Sequence, residues 1–308
     1  MYQLRPPALA LAPYIEHYWF VSSADGPVDL KVDVFVDGRA DLILNFSAPY
    51  ERTVLGSQAT RTITDSNLDA QRLQPIRIVQ KGRVHTTGVR FRLGGLAPFV
   101  RVPLNTLTDT TPPPVQAFGD AFLATEATIR ATDPDAQAQI LDQFFLNHLQ
   151  TPRSHTAFRQ ALDTLATSDG AAPLHDVAAA AGVTPRHVDR LFARYLGFPP
   201  KTLARILRFQ STLRALMRTE RATRGASDGE RLGAAQSEPR MRRDPGGSLA
   251  ELALSAGYFD QAHFIREFRA LSGGVPRGFR GYYPPAGPHD FAPNVVAFIQ
   301  DGAPDPGL

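Results

Sequence analysis

At 308 residues the chain has the length of about two domains, taking ~150 residues for each. Its 43% hydrophobic content supplies buried cores, and its zero cysteines exclude disulfides, thiolate zinc sites, iron–sulfur clusters and cysteine nucleophiles. No apolar run has the length of a membrane span, and the opening residues Met1–Pro7 lack the charged-then-apolar layout of a secretory leader, so no membrane partner and a cytoplasmic location are expected.

The net charge of +3 is unevenly spread: residues 1–150 hold 13 basic and 15 acidic residues, whereas 153–282 hold 20 basic and 12 acidic ones. An excess of that sign suits a polyanion partner for the second half. Of the 33 basic residues 30 are arginine. Genome composition explains that bias better than selection for phosphate contacts.

In chain order, the first elements are strands. Ile15–Ser22, Val32–Val36, Asp41–Phe46, Ile76–Val79 and Thr87–Leu93 are rich in β-branched and aromatic residues and are separated by turn residues such as Asp37-Gly38 and Gly94-Gly95. Along Thr86–Leu93 the alternation puts Val89, Phe91 and Leu93 on one face and Arg90 and Arg92 on the other, read as a solvent face rather than a clamp for an acidic effector. Trp19, Tyr14 and Tyr18 are assigned to core packing rather than to an apolar pocket. After Pro112-Pro113-Pro114 the spacing turns helical, through Phe118–Leu123 and Ala136–Leu149, and a boundary falls near Thr151-Pro152. The expected organisation is a mainly β domain over 1–150, a helical domain over 151–283 and a Pro/Gly-rich tail over 284–308. Within the helical part, 220–247 mixes charged residues with Gly and Ser and reads as a flexible loop. The tail carries one apolar run, Val295–Ile299, expected to dock on the first domain as a strand.

The helical half holds one pattern twice. Val177-Ala178, three residues, Gly182-Val183-Thr184-Pro185 and then Val188, Arg190, Leu191, Phe192 make the first copy. Leu252-Ala253, three residues, Gly257-Tyr258, Asp260 and then Phe264, Arg266, Glu267, Phe268 make the second. The layout is that of a helix-turn-helix. A small alanine sits at a close helix crossing, and a glycine ends the first helix with positive φ. Thr184 and Asp260 are N-caps, with Pro185 at the first helical position. The apolar stripes Val188, Leu191, Phe192 and Phe264, Phe268, Leu271 would be buried, leaving Arg186, Asp189, Arg190 and Arg194, then Gln261, His263, Arg266 and Arg269, on the outer faces. Arginine and glutamine there can read base edges in a major groove, and helix N-termini can meet phosphate. Two copies in one basic domain favour DNA binding over a bundle whose charged faces meet only water.

The second copy, Gly257–Arg269 followed by Pro276 and Phe279-Arg280, resembles the carboxy-terminal signature of AraC/XylS-type transcriptional regulators. The first, Gly182–Phe192 with Gly197-Phe198-Pro199-Pro200-Lys201, is similar to that family's first motif. The resemblance covers about 155–283. It implies an α+β chain, with a mainly β sensor-like domain followed by an all-α double helix-turn-helix domain whose two recognition helices enter successive major grooves. Thr184, Arg186, Asp189, Arg190, Arg194, Gln261, Ala262, His263, Arg266 and Arg269 are the implied DNA-contacting set, and Lys201–Thr219 the linker helix, ~28 Å long. The departure from the family is 220–247, where about 25 residues look inserted, with Arg240, Arg242 and Arg243 as possible extra contacts.

The first half, through Pro13–Trp19, Asp37–Leu42, Leu55–Gln58 and Gly88–Gly95, also resembles a domain preceding this module in some family members. Such domains sense a signal or dimerise. The implied partners are therefore double-stranded DNA and RNA polymerase, with an unidentified small-molecule effector and a homodimer as further possibilities. No catalytic residue, metal or other cofactor is expected: Glu16, His17, Asp41 and His85 do not share ligand spacing, and no serine sits in a nucleophile elbow. Alkyl-DNA repair proteins that carry the same module transfer methyl groups onto cysteine, chemistry closed to a chain without one. The alternative reading is an architectural or antagonist DNA-binding protein with no effector.

Overall fold

Apolar and aromatic residues in the first third build two antiparallel sheets, as the computed structural model shows; it describes residues 2–23, 26–150, 153–230 and 249–276. The strands are β1 (Tyr2–Arg5), β2 (Ile15–Ser22), β3 (Val28–Val34), β4 (Asp41–Asn45), β5 (Tyr50–Val54), β6 (Ala59–Ile63), β7 (Asn67–Asp69), β8 (Ile76–Gly82) and β9 (His85–Phe91). One sheet has the order β1-β2-β9-β4-β7 and the other β3-β8-β5-β6.

The five-stranded sheet has two unlike faces. Tyr18, Phe20, Leu42, Leu44, Val89 and Phe91 point to a core shared with the helices that follow, α1 (Pro114–Phe118), α2 (Ala121–Arg130) and α3 (Pro134–His148). Phe91, Phe99, Phe118, Phe122, Phe144 and Phe145 meet there mostly edge to face, an arrangement that adds attraction to area burial. The Tyr18 hydroxyl donates to Asp142 Oδ1 of α3 at 2.7 Å. On the opposite face the strand register sets His17 beside Arg90, Arg90 beside Asp41 and Asp41 beside Asp69. One step along, the Trp19 indole lies over Gly88, where a Cβ would occupy the same space as the ring.

Here the structure corrects the solvent-face reading of Arg90. Its side chain is fully buried and pairs with both Asp37 and Asp41. Arg52 of β5 reaches Asp69 of β7 at 3.2 Å, and Asn67 donates to the Tyr50 hydroxyl at 2.8 Å, so these polar contacts join the two sheets. Alternation located the two faces of β9, but a sheet covered on both sides buries both. Arg92 alone is exposed, and its Nε donates to the Ala12 carbonyl.

The helical half comprises α4 (Arg153–Thr167), α5 (Leu174–Ala180), α6 (Pro185–Tyr195), α7 (Pro200–Glu230), α8 (Leu249–Ser255) and α9 (Gln261–Ser272). The linker helix is longer than its apolar pattern suggested. It runs for 31 residues, about 46 Å, through the first part of the expected loop. Residues 216–230 contain no proline, so the helix continues past the apolar stripe in spite of Gly225 and Gly229. Residues 231–247, including Arg240, Arg242 and Arg243, lie outside the described residues, as do Phe279-Arg280, the Val295–Ile299 run and the rest of the tail.

The two halves share one core. Val36, in the β3–β4 connection, donates its amide to the Leu271 carbonyl of α9 at 3.1 Å and accepts from the Gln210 side chain of α7 at 2.6 Å. Thr108 Oγ1 donates to the Gly197 carbonyl, and Arg159 of α4 to the Leu93 carbonyl. Among the described residues no helix is long and apolar enough to cross a membrane.

Candidate nucleic-acid interface

Each copy of the repeat folds into a pair of short helices joined by a tight turn. In the first, α5 ends at Ala180 and Gly182 takes φ of 65°; in the second, α8 ends at Ser255 and Gly257 takes φ of 76°. That left-handed backbone is the one glycine adopts without strain. Ala178 and Ala253 are buried at the crossings. Both expected caps form: Thr184 Oγ1 accepts from the His187 amide at 3.3 Å, and Asp260 Oδ1 from the His263 amide at 2.6 Å.

The buried stripes are those the spacing predicted. Val188, Leu191 and Phe192 of α6 face inward, as do Phe264, Phe268 and Leu271 of α9. The outer face of α6 presents Arg186, Asp189, Arg190 and Arg194, all exposed, with Thr184 exposed at its start. Arg190 Nη2 lies 3.5 Å from His187 Nδ1, and the Arg194 guanidinium lies 5.5 Å from the Tyr195 ring centre. These contacts are local and leave the face open to a partner.

On α9, Ala262, Arg266 and Arg269 are exposed, while Gln261 and His263 are half-buried. His263 is the most engaged of the set. Its ring stands edge-on to Tyr258, and its Nε2 lies 3.7 Å from Glu267 Oε1. The arrangement thus separates exposed Ala262, Arg266 and Arg269 from half-buried Gln261 and from His263, which is held within its own unit.

A residue that sequence reading passed over sets the place of α9. Glu267 is buried and accepts from Arg205 Nε of α7 at 2.6 Å. One turn further along α7, Arg208 lies over the Tyr258 ring and Phe209 meets Phe268 edge to face at 5.2 Å. Spacing alone sets Glu267 beside Phe264 and Leu271 on the inward side of α9, but nothing in the local run reveals its partner, Arg205.

In the first half, His17 and His85 lie in different surroundings. His17 is partly buried beside Arg90, with burial and then the Arg90, Arg39 and Arg92 charges lowering its pKa to about 4, whereas His85 is exposed at the start of β9. Among the described residues no three His, Asp or Glu side chains gather as a metal site.

The class defined by these features is a mainly β domain followed by a helical domain with two helix-turn-helix units. Residues 3–113 match the model of a domain of unknown function, DUF6597. No curated protein matches the chain. Among solved structures it is similar to an AraC-type DNA-binding-domain regulator from Chromobacterium violaceum at 21% identity, over 44% of this chain and 97% of that one, with a TM-score of 0.32. It is similar to apo ToxT from Vibrio cholerae at 10% identity, over 86% and 97%, with a TM-score of 0.40. Fatty-acid-bound wild-type ToxT gives 9%, 83%, 95% and 0.39 for the same quantities. In its sequence motifs the chain resembles AraC/XylS-type regulators. At such identities and TM-scores the weight falls on this chain's own side chains.

Proposed function

We propose that this protein is a transcriptional regulator that binds double-stranded DNA sequence-specifically through α6 and α9. The observation that carries the reading is the repeated geometry: two capped helices, each buried on one stripe and exposed on the other, both packed against α7. Arg186, Arg190 and Arg266 are assigned to base edges or phosphates, and Thr184, Asp189, Arg194, Gln261, Ala262 and Arg269 to the surrounding contacts. His263 belongs at the rim, because its ring is tied to Tyr258 and Glu267.

The β domain is assigned to signal reception or dimerisation, with an effector modulating DNA binding. Promoter activity would follow from recruiting or blocking RNA polymerase. No enzymatic step, metal or other cofactor enters this scheme, and it operates in the cytoplasm. The alternative, an architectural or antagonist protein without an effector, differs in one measurable respect: no small molecule would shift its melting temperature or its DNA affinity.

The test is binding of the full chain to its own upstream DNA and to a shuffled duplex at about 50 and 200 mM salt, with genome-wide selection of bound fragments alongside. Specific affinity is expected to exceed non-specific affinity by at least ~10³, with both falling as salt rises. Absence of any enriched fragment, with equal binding to all duplexes, overturns sequence-specific regulation.

A further inference from the structure

Phe259 is 86% exposed and stands immediately before Asp260, the N-cap of α9. A large apolar residue at that position ordinarily packs back on the fourth helical residue and fixes the entry of the chain. In this unit the fourth residue is Phe264, and Tyr258 fills the role instead, its ring 5.2 Å from that of Phe264. In the first unit the equivalent position is Val183, which is packed against the core. Phe259 therefore has no packing duty in its own unit, and its apolar surface is left in water at the leading end of a recognition helix.

Its neighbours indicate what covers it. Within α9, Ala262 and Arg266 stand four residues apart, which puts both on one side of the helix, and both are exposed; Phe259 precedes the extended N-cap. An exposed aromatic ring at the entry of α9 is thus followed, on the helix itself, by an exposed methyl group and an exposed guanidinium. The outer face of α6, in contrast, offers Arg186, Asp189, Arg190 and Arg194 and no large apolar group. In a major groove the one apolar feature on the base edges is the thymine methyl, and Phe and Ala side chains are among those that meet it. Arg266 keeps this side of α9 complementary to DNA rather than to an apolar protein surface.

We infer that Phe259 is a specificity-determining residue that reads thymine methyl groups, so that the half-site under the second unit is selected for thymine by apolar contact while the first unit reads by polar contact. This rests on the DNA-binding reading above.

The experiment replaces thymine by deoxyuracil, position by position, in a duplex enriched from random sequence by the full chain. The exchange removes a methyl and keeps every hydrogen-bonding group. Wild-type protein is expected to lose affinity about fourfold, the worth of one buried methyl, at one or two positions in one half-site. Phe259→Ala is expected to bind the thymine duplex more weakly and to show no further loss with deoxyuracil at those positions; Phe259→Leu should retain part of the response. Because the side chain is exposed, circular dichroism and melting of the variants should match wild type. An unchanged affinity and an unchanged deoxyuracil response in Phe259→Ala overturn the inference while leaving DNA binding intact. Loss of promoter activity with DNA binding unaltered also overturns it and assigns the ring to a protein partner. Failure of wild type to enrich any sequence sinks the DNA-binding reading itself, a different result from either.

Discussion

The first helix-turn-helix unit is held by a third helix of its own, and the second borrows one. Phe158 of α4 meets Phe192 and Tyr195 of α6 at 5.4 Å each, so α4, α5 and α6 form a three-helix core before any other part of the chain is considered. In the second unit, α8 and α9 span only 7 and 12 residues. Their partners are α7, through Arg205, Arg208 and Phe209, and the β3–β4 connection, through Val36. A helix-turn-helix pair is too small to bury its own apolar faces. The repeated sequence pattern therefore specifies a local shape, while the stability of each copy depends on what stands behind it.

The sharpest way to break this contrast is to empty the two cores in turn. Phe192→Ala and Phe268→Ala should each cost ~3–5 kcal/mol, with different reach. Phe192→Ala is expected to lower the denaturant midpoint of the whole chain, whereas Phe268→Ala should first raise amide exchange within 249–276. Equal, global effects would show the second unit to be as self-sufficient as the first.

Next in size is the ion pair that anchors α9. Glu267→Ala should cost about 1.5–3 kcal/mol, as for hydrogen bonds to charged groups. Exchange protection should fall in α9 and stay unchanged in α6. Glu267→Gln, which retains an acceptor for Arg205, should recover part of it.

A pH effect separates the units further. His155 of α4 is held by burial, and secondarily by the Arg159 charge, at a pKa of about 4, below the ordinary 6.5, and its ring stands beside Tyr195 of α6. A histidine depressed in the folded state contributes stability that is complete above pH 6.5 and is lost as pH falls toward 4, at up to about 1.4 kcal/mol per pH unit. His17 has the same sign. Asp41, pushed by burial up to about 7, acts in the opposite direction. The informative quantity is thus a difference: His155→Phe should flatten the fall in stability between pH 6.5 and 4 relative to wild type in urea titrations. An identical pH profile in the variant would remove His155 from the account.

The smallest expected effects are those of the caps. Thr184→Ala and Asp260→Ala should each cost ~1 kcal/mol. The Asp260 loss should be the larger, because a carboxylate acceptor at 2.6 Å is charge-assisted and the threonine hydroxyl at 3.3 Å is not. Thermal melts of the two variants decide the order.

Sequence reading reached most of this where a single residue's chemistry decides the structure. Gly182, Gly257, Thr184 and Asp260 announce the ends of helices because few other residues satisfy those backbone positions, and β2 was placed residue for residue by its apolar run. It failed where the deciding partner is distant in the chain. The strands β5 and β6 were missed because Glu51, Arg52, Thr60 and Arg61 break any apolar alternation, and β6 is exposed until Ile63. Arg90 was assigned to water because nothing near it in sequence reveals the carboxylates of Asp37 and Asp41 brought to it by the fold. The partner of Glu267 was hidden in the same way, because Arg205 lies 62 residues earlier.

The attachment of Val36 to the helical half carries one more consequence. Its side chain takes no part in either hydrogen bond: the peptide amide meets Leu271 and the peptide carbonyl meets Gln210. Both bonds can persist through any substitution but proline, yet the Val36 side chain is itself fully buried in the shared core, so only a residue of similar size and polarity fits there. The connection is therefore gripped twice, by its main chain and by its packing, and a change at this one position would be felt in the β domain and in α9 together.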